Sequence, residues 1–239
     1  MTEPMTGLLD ATSRAATDEL LAGLRAGRWR PAAWARFVSS SARRSVHQAG
    51  AHPTALVELT AVHAVMALLA GRRHGRWVVA SWVLAASHLG MLDARRSLGV
   101  SNVITLFRAN LPALGGPTRW LPILAVVTDL LDGRSARCLG EETAFGSSAD
   151  SLADAAFWTW FALSHEPSRV VRIAAFAAWT APVLLVTVAS IVGGRMVDPP
   201  RPALLRPAAA MQAVLAIRAL VRVGRYSQSG EPCRKLAPS

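Results

Sequence analysis

Lysine is almost missing from this chain: Lys235 is its one lysine, so a formal net charge of +11 rests on arginine. Tyrosine is as scarce, with Tyr226 alone, and the two cysteines, Cys138 and Cys233, stand apart in no metal-binding or redox spacing. That excludes a disulfide framework and a zinc module. Charge as a whole is low. Charged residues make up 17% of the 239 residues, against about 25% in soluble domains. No internal repeat is visible, and residues 1–50 lack the short apolar core of a signal peptide, so no secretion is expected. Without an aromatic-basic stripe, the basic excess does not point to nucleic acid. Anionic lipid is the better partner for arginines that cluster between apolar runs.

What is abundant is apolar. Hydrophobic residues reach 52%, with eight tryptophans, several near the ends of apolar runs where an interfacial ring would sit. The pattern predicts an all-α integral membrane protein, a helical bundle of about six to seven transmembrane helices preceded by an amphipathic basic segment. In that segment Leu20, Leu21, Leu24, Trp29, Trp34 and Phe37 are interleaved with Arg14, Arg25, Arg28, Arg30, Arg36, Arg43 and Arg44. This suits helices lying on an anionic membrane face; the alternative is a basic arm without fixed structure.

Two apolar runs, 54–70 and 77–92, joined by GRRHGR, read as a helical hairpin. His63 and His88 lie on them and are expected to bond a neighbouring helix rather than to serve a proton or a metal. Glu58 is expected to be interfacial or paired. A segment from 101 to 115 stops at Gly115-Gly116-Pro117. Helices follow over 119–137, 146–164, 169–194 with a kink at Pro182, and 203–223, after a rigid loop at 198–202. On the last, Arg206, Arg218 and Arg222 need partners. The segment 103–128 is too short for two spans of about 20 residues each, so the first of its helices must be short, tilted or interfacial.

The chemistry concentrates between Asp129 and Asp154. Asp129 and Asp132 are spaced i, i+3, and Asp150 and Asp154 i, i+4, so each pair projects from one helix face. Acids that border membrane segments cost at least a few kcal/mol and are read as functional. Solvated loop charges would have no reason to repeat the spacing of a helix face. All-oxygen ligation suits Mg²⁺ or Mn²⁺ before Zn²⁺, and carboxylates converging from two helices could hold two ions. Two ions about 3.5–4 Å apart imply phosphate chemistry on a diphosphate. Gly133, Ala136 and Gly146 lie beside the acids and leave room for a ligand against backbone.

Asp129-x-x-Asp132-Gly133-x-x-Ala136-Arg137, followed by Gly146-x-x-x-Asp150-x-x-x-Asp154, resembles the signature of the CDP-alcohol phosphatidyltransferase family. Upstream, Asn102-x-x-Thr105-x-x-Arg108 is similar to the opening of that family's catalytic core. The resemblance implies that Asp129, Asp132 and Asp150 bind the metals. Asp154 would complete the site and take the acceptor hydroxyl's proton. Gly133, Ala136, Arg137 and Gly146, with Asn102, Thr105 and Arg108, would admit the substrate. Arg134 and Arg195 are further candidates for an acceptor's phosphate, with Arg108 as another.

The chain then divides into a basic N-terminal segment (1–50), an additional hairpin (51–98), a catalytic core (99–226) and a tail (227–239). The expected activity moves a phosphatidyl group from a CDP-linked lipid to a small or lipid alcohol, with release of CMP. The expected place is a multi-pass position in the cell membrane with the site on the cytosolic side, with membrane lipid as a partner, no nucleic acid, and room for a homodimer. Two other classes remain at this point: a non-catalytic membrane protein, and a cation-coupled transporter using the same acids.

Overall fold

The computed structural model describes residues 7–9, 11–115, 120–197 and 202–228, without the side chains of Arg73, 202–206 and 222–228. Gly116 and Pro117 of the expected stop, residues 198–201 of the expected loop, the side chains of Arg206 and Arg222, and 229–239 of the tail lie outside that description. Every described element is helical: α1 (Ser13–Ala26), α2 (Pro31–Ala51), α3 (Pro53–Ser87), a 3-10 turn (Leu89–Leu92), α4 (Gly99–Asn110), a second 3-10 turn (Leu111–Leu114), α5 (Leu121–Leu139), α6 (Ala144–His165), α7 (Arg169–Gly193) and α8 (Pro202–Gln228). Pro31, Pro53 and Pro122 open α2, α3 and α5, at first-turn positions whose N–H has no intrahelical partner in any case.

α3 folds back on itself. Gly71 takes φ 64 and ψ −177, a conformation open to glycine because it has no Cβ. Across the reversal His63 Nε2 lies 3.0 Å from Ser81 Oγ, and Trp82 Nε1 donates to Thr60 Oγ1 at 3.1 Å. The two arms are therefore antiparallel. The turn is made at Gly71 and the helix resumes at once, so the GRRHGR stretch is mostly helix rather than loop. His63 is buried and also bonds the Leu59 carbonyl.

The hairpin is fastened to α4. Asn110 Nδ2 donates to Ser81 Oγ at 3.1 Å and Trp77 Nε1 to the Ala109 carbonyl at 2.9 Å. Ala55, Leu59, Leu89, Leu92, Leu98, Leu106 and Phe145 close one core between hairpin, α4 and α6. A second core gathers Leu121, Ala125, Phe157, Trp158, Phe161, Ala175 and Leu215 from α5 to α8. Phe157 and Trp158 meet edge to face at 5.0 Å, the arrangement that ring quadrupoles favour. Buried Glu166 takes a forked pair of bonds from Arg218, at 2.8 and 3.0 Å, which supplies the partner that Arg218 needs.

The N-terminal segment is folded as α1 and α2. Arg44 donates to the carbonyls of Leu8, Leu9 and Ala11 at 2.7–2.9 Å. Ser13 Oγ bonds the Gly90 carbonyl and Arg25 the Gly193 carbonyl, so α1 bridges the first 3-10 turn and the end of α7.

Among the described residues, Pro53–Arg72 and Arg169–Gly193 are long and apolar enough to cross a membrane, and Pro207–Val221 is a shorter apolar stretch. The expected six to seven spans are not reached by this measure, because α4 has only 12 residues and α5 and α6 dilute their apolar runs with the acids and arginines of the motif. In α7 most of the apolar surface faces outward, with 11% of the window buried in the chain. A helix so apolar on its outer side is suited to lipid.

Candidate metal centre

The acids reach their places through the ends of α5 and α6. Gly140, left-handed at φ 62 and ψ 33, ends α5. Three residues later Thr143 Oγ1 accepts the Gly146 N–H at 2.9 Å and caps α6. α4 packs against both helices and delivers Arg108 between the two acid pairs.

Arg108 is 0% exposed. Its NH1 lies 3.3 Å from Asp129 Oδ1 and 3.0 Å from Asp132 Oδ2, its Nε 3.1 Å from Asp154 Oδ1, and its NH2 pairs with Asp150 Oδ1. All four carboxylates therefore surround one guanidinium. Thr105 Oγ1 donates to Asp132 Oδ2 at 2.7 Å and fixes that carboxylate's rotamer. Asp132 and Asp154 are the more enclosed, at 7% and 14% side-chain exposure, and Asp129 and Asp150 the more open, at 32% and 44%. Ligand can therefore approach from the side of Asp129 and Asp150.

Asp129, Asp132 and Asp150 each offer an oxygen within 4.8 Å of the others. Oxygens that share a Mg²⁺ at about 2.1 Å lie at most about 4.2 Å apart, so a small closure brings this trio to ligating distance. The donor set is all carboxylate, and it fits a hard divalent cation.

α4 is held at its start by two acids from different parts of the chain. Glu58, on the first arm of α3, accepts bonds from Ser97 Oγ and from the Leu98 N–H at 2.7 Å. Glu141, just after Gly140, accepts the Ser101 N–H at 3.0 Å. That backbone bond is the first cause of a Glu141 carboxyl held below the usual range. Gly99 sits between them at φ 78, where a Cβ would meet the Glu141 carboxylate at 2.7 Å. Glu141 went unnoticed in the sequence, which marks it only by its place after a helix-ending glycine.

The remaining motif residues divide. A Cβ on Gly146 would meet Asn102 Oδ1 at 2.7 Å, so the space beside Gly146 is filled by Asn102, itself buried and bonded to the Leu98 carbonyl. This corrects the expectation that Gly146 leaves room for a ligand: the glycine admits α4. At Gly133 a Cβ would make ordinary contact with the Arg137 guanidinium at 3.5 Å, so that side is bounded by one long, flexible side chain. Ala136 is half-buried, and Arg134 and Arg137 are exposed on α5. Arg195 is exposed just past α7, with about 18 Å of chain at helical rise separating it from Val183, the last of the α7 residues that line the groove at the acids. No described contact brings Arg195 to the carboxylates.

That groove, ≈ 640 Å³, runs from Asp150 and Asp154 between α6, α7 and α8, past Trp179, Pro182, Ala208 and Gln212. A groove of ≈ 780 Å³ lies between the second arm of α3, α4 and a different face of α6, at Phe145, Ala149 and Leu152. It carries no carboxylate, and the chemistry belongs to the first. No curated protein and no solved structure matches the chain. Residues 98–227, more than half of the chain, match the family model of the CDP-alcohol phosphatidyltransferases, with every acid of the cluster inside the match, and the chain belongs to that family.

Proposed function

We propose that this chain is a multi-pass membrane enzyme that moves a phosphatidyl group from a CDP-linked lipid such as CDP-diacylglycerol to an alcohol, releasing CMP on the cytosolic side. The observation that carries this reading is the meeting of four carboxylates from two helices around one point. Asp129, Asp132 and Asp150 would hold Mg²⁺ or Mn²⁺, two ions in all, with Asp154 completing the set. Such ions supply charge neutralisation on the diphosphate and on both reacting oxygens.

The chain's own residues do the rest. The acceptor oxygen attacks the phosphorus that bears the diacylglycerol, the bond to CMP breaks, and CMP leaves with the electron pair. Asp154, which lines the groove beside Asp150, takes the hydroxyl proton. The side of α5 at Gly133, Ala136 and Arg137 admits the nucleotide, and the apolar run from Asp154 towards Ala208 suits acyl chains. Thr105 holds Asp132, and Asn102 holds α4 against Gly146. Arg134, exposed on α5, and Arg195, exposed just past α7, are left to a phosphate on the acceptor.

Purified chain given CDP-diacylglycerol, Mn²⁺ and a panel of alcohols should form a new phospholipid and CMP, read by mass spectrometry. EDTA should abolish the product, and Mg²⁺ or Mn²⁺ should restore it better than Ca²⁺, which prefers longer and more numerous oxygen contacts. Full turnover in chelator would overturn the metal roles, and no product with any alcohol would overturn the activity.

A further inference from the structure

The transfer chemistry gives Arg108 no step, yet its guanidinium holds the middle of the acid cluster. A divalent ion on Asp129, Asp132 and Asp150 must come within about 2.1 Å of carboxylate oxygens in that cluster. Arg108 NH1 lies 3.0 and 3.3 Å from oxygens of Asp132 and Asp129, and NH2 pairs with Asp150. An ion inside that ring would lie against a like-charged guanidinium that is itself shut off from water. The charges agree: two divalent ions neutralise four carboxylates by themselves, and Arg108 kept in place would add an unmatched positive charge.

The guanidinium is also loosely spent. Nε and NH1 lie at ion-pair distance from the acids but have no partner in hydrogen-bonding geometry. It is held there by charge more than by a forked bond, and a guanidinium's fork matches phosphate well once free.

We propose that Arg108 is an exchangeable counter-cation, which divalent ions displace from the carboxylates and which then turns to a phosphate of the substrate. This rests on the metal reading of the same site, and the test uses the ion alone so that the two can fail separately. Mn²⁺ is titrated into the purified full chain in detergent, without nucleotide, and binding is read from the EPR signal of free Mn²⁺. Arg108→Gln should bind Mn²⁺ about tenfold tighter or more than wild type, since each tenfold is 1.4 kcal/mol of lost competition. Arg108→Lys, which keeps the charge, should stay near wild type.

Equal or weaker binding by Arg108→Gln, with wild type binding normally, overturns the exchange and leaves the transferase standing. Absence of Mn²⁺ binding in every form overturns both. Four clustered carboxylates, two of them enclosed, can prevent folding without a counter-charge, so Arg108→Gln is purified with Mn²⁺ and melted with and without EDTA. A far larger loss of Tm on chelation than in wild type supports the exchange, and equal losses overturn it. If the variant folds in neither condition, the arginine Nε–Hε spectrum of wild type answers alone: Mg²⁺ must shift a resonance, and an unchanged spectrum overturns the proposal.

Discussion

The carboxylate of Glu58 accepts the N–H of Leu98 at 2.7 Å, joining the hairpin outside the family match to the first residue inside it. The bond caps α4, the helix that carries Asn102, Thr105 and Arg108 into the acids. A charged hydrogen bond to a helix start is worth about 1–2 kcal/mol. Glu58→Ala should therefore lower Tm by several degrees and reduce kcat, although Glu58 has no contact with the acids. Thermal melts and CMP release measure both, and unchanged values would show that α4 is placed without this cap.

The two motif glycines should part company on substitution. Gly146→Ala drives a Cβ to 2.7 Å from Asn102 Oδ1, so it should cost about 1–3 kcal/mol by overpacking and loosen α4. Gly133→Ala brings its Cβ only into ordinary contact with the Arg137 guanidinium, at 3.5 Å, and should gain up to about 1 kcal/mol of helix propensity while weakening CDP-lipid binding. Melting temperature and donor KM, measured on both variants, separate these effects. A destabilised Gly133→Ala would contradict the room for a Cβ on that face of α5.

Glu141 makes the α4 start sensitive to acid. Its folded pKa is depressed by the Ser101 N–H, so its stabilisation is full above the unfolded value of about 4.3 and is lost as pH falls through the folded one. Glu141→Gln should cost about 0.5–1 kcal/mol at pH 7, the modest value of a solvent-screened group. The gap from wild type should narrow as pH falls below the unfolded value and through the depressed folded one. Denaturant midpoints at pH 7 and pH 3.5 test this; a gap that persists at low pH would assign the effect to shape rather than charge.

Asp132 should be the least replaceable acid, since it is the most enclosed of the four and the one that Thr105 orients. Asp132→Asn should remove CMP release with every alcohol, because the diphosphate loses charge neutralisation. Thr105→Val, which deletes one bond of about 1 kcal/mol, should reduce kcat by about tenfold or less with donor KM near wild type. A Thr105→Val variant as inactive as Asp132→Asn would give the hydroxyl a role beyond orientation.

The spacing of Asp129 with Asp132 and of Asp150 with Asp154 was enough to place each pair on one helix face, because side-chain direction along a helix follows from sequence separation alone, while the resemblance to the family needed the whole motif, with Gly133, Ala136, Arg137 and Gly146. The apolar runs likewise announced helices, whereas the reversal at Gly71 and the left-handed end of α5 at Gly140 were seen only in the fold. How α4 lies between α5 and α6 is not a local property. It is set by Asn102 entering the gap at Gly146, by the hairpin bonds to Asn110 and Ala109, and by two carboxylates at its start that come from residues 58 and 141. No periodicity encodes such meetings, since each depends on distant segments arriving together. For that reason the sequence determined which acids form the site, and the tertiary structure alone decided that an arginine stands at its centre.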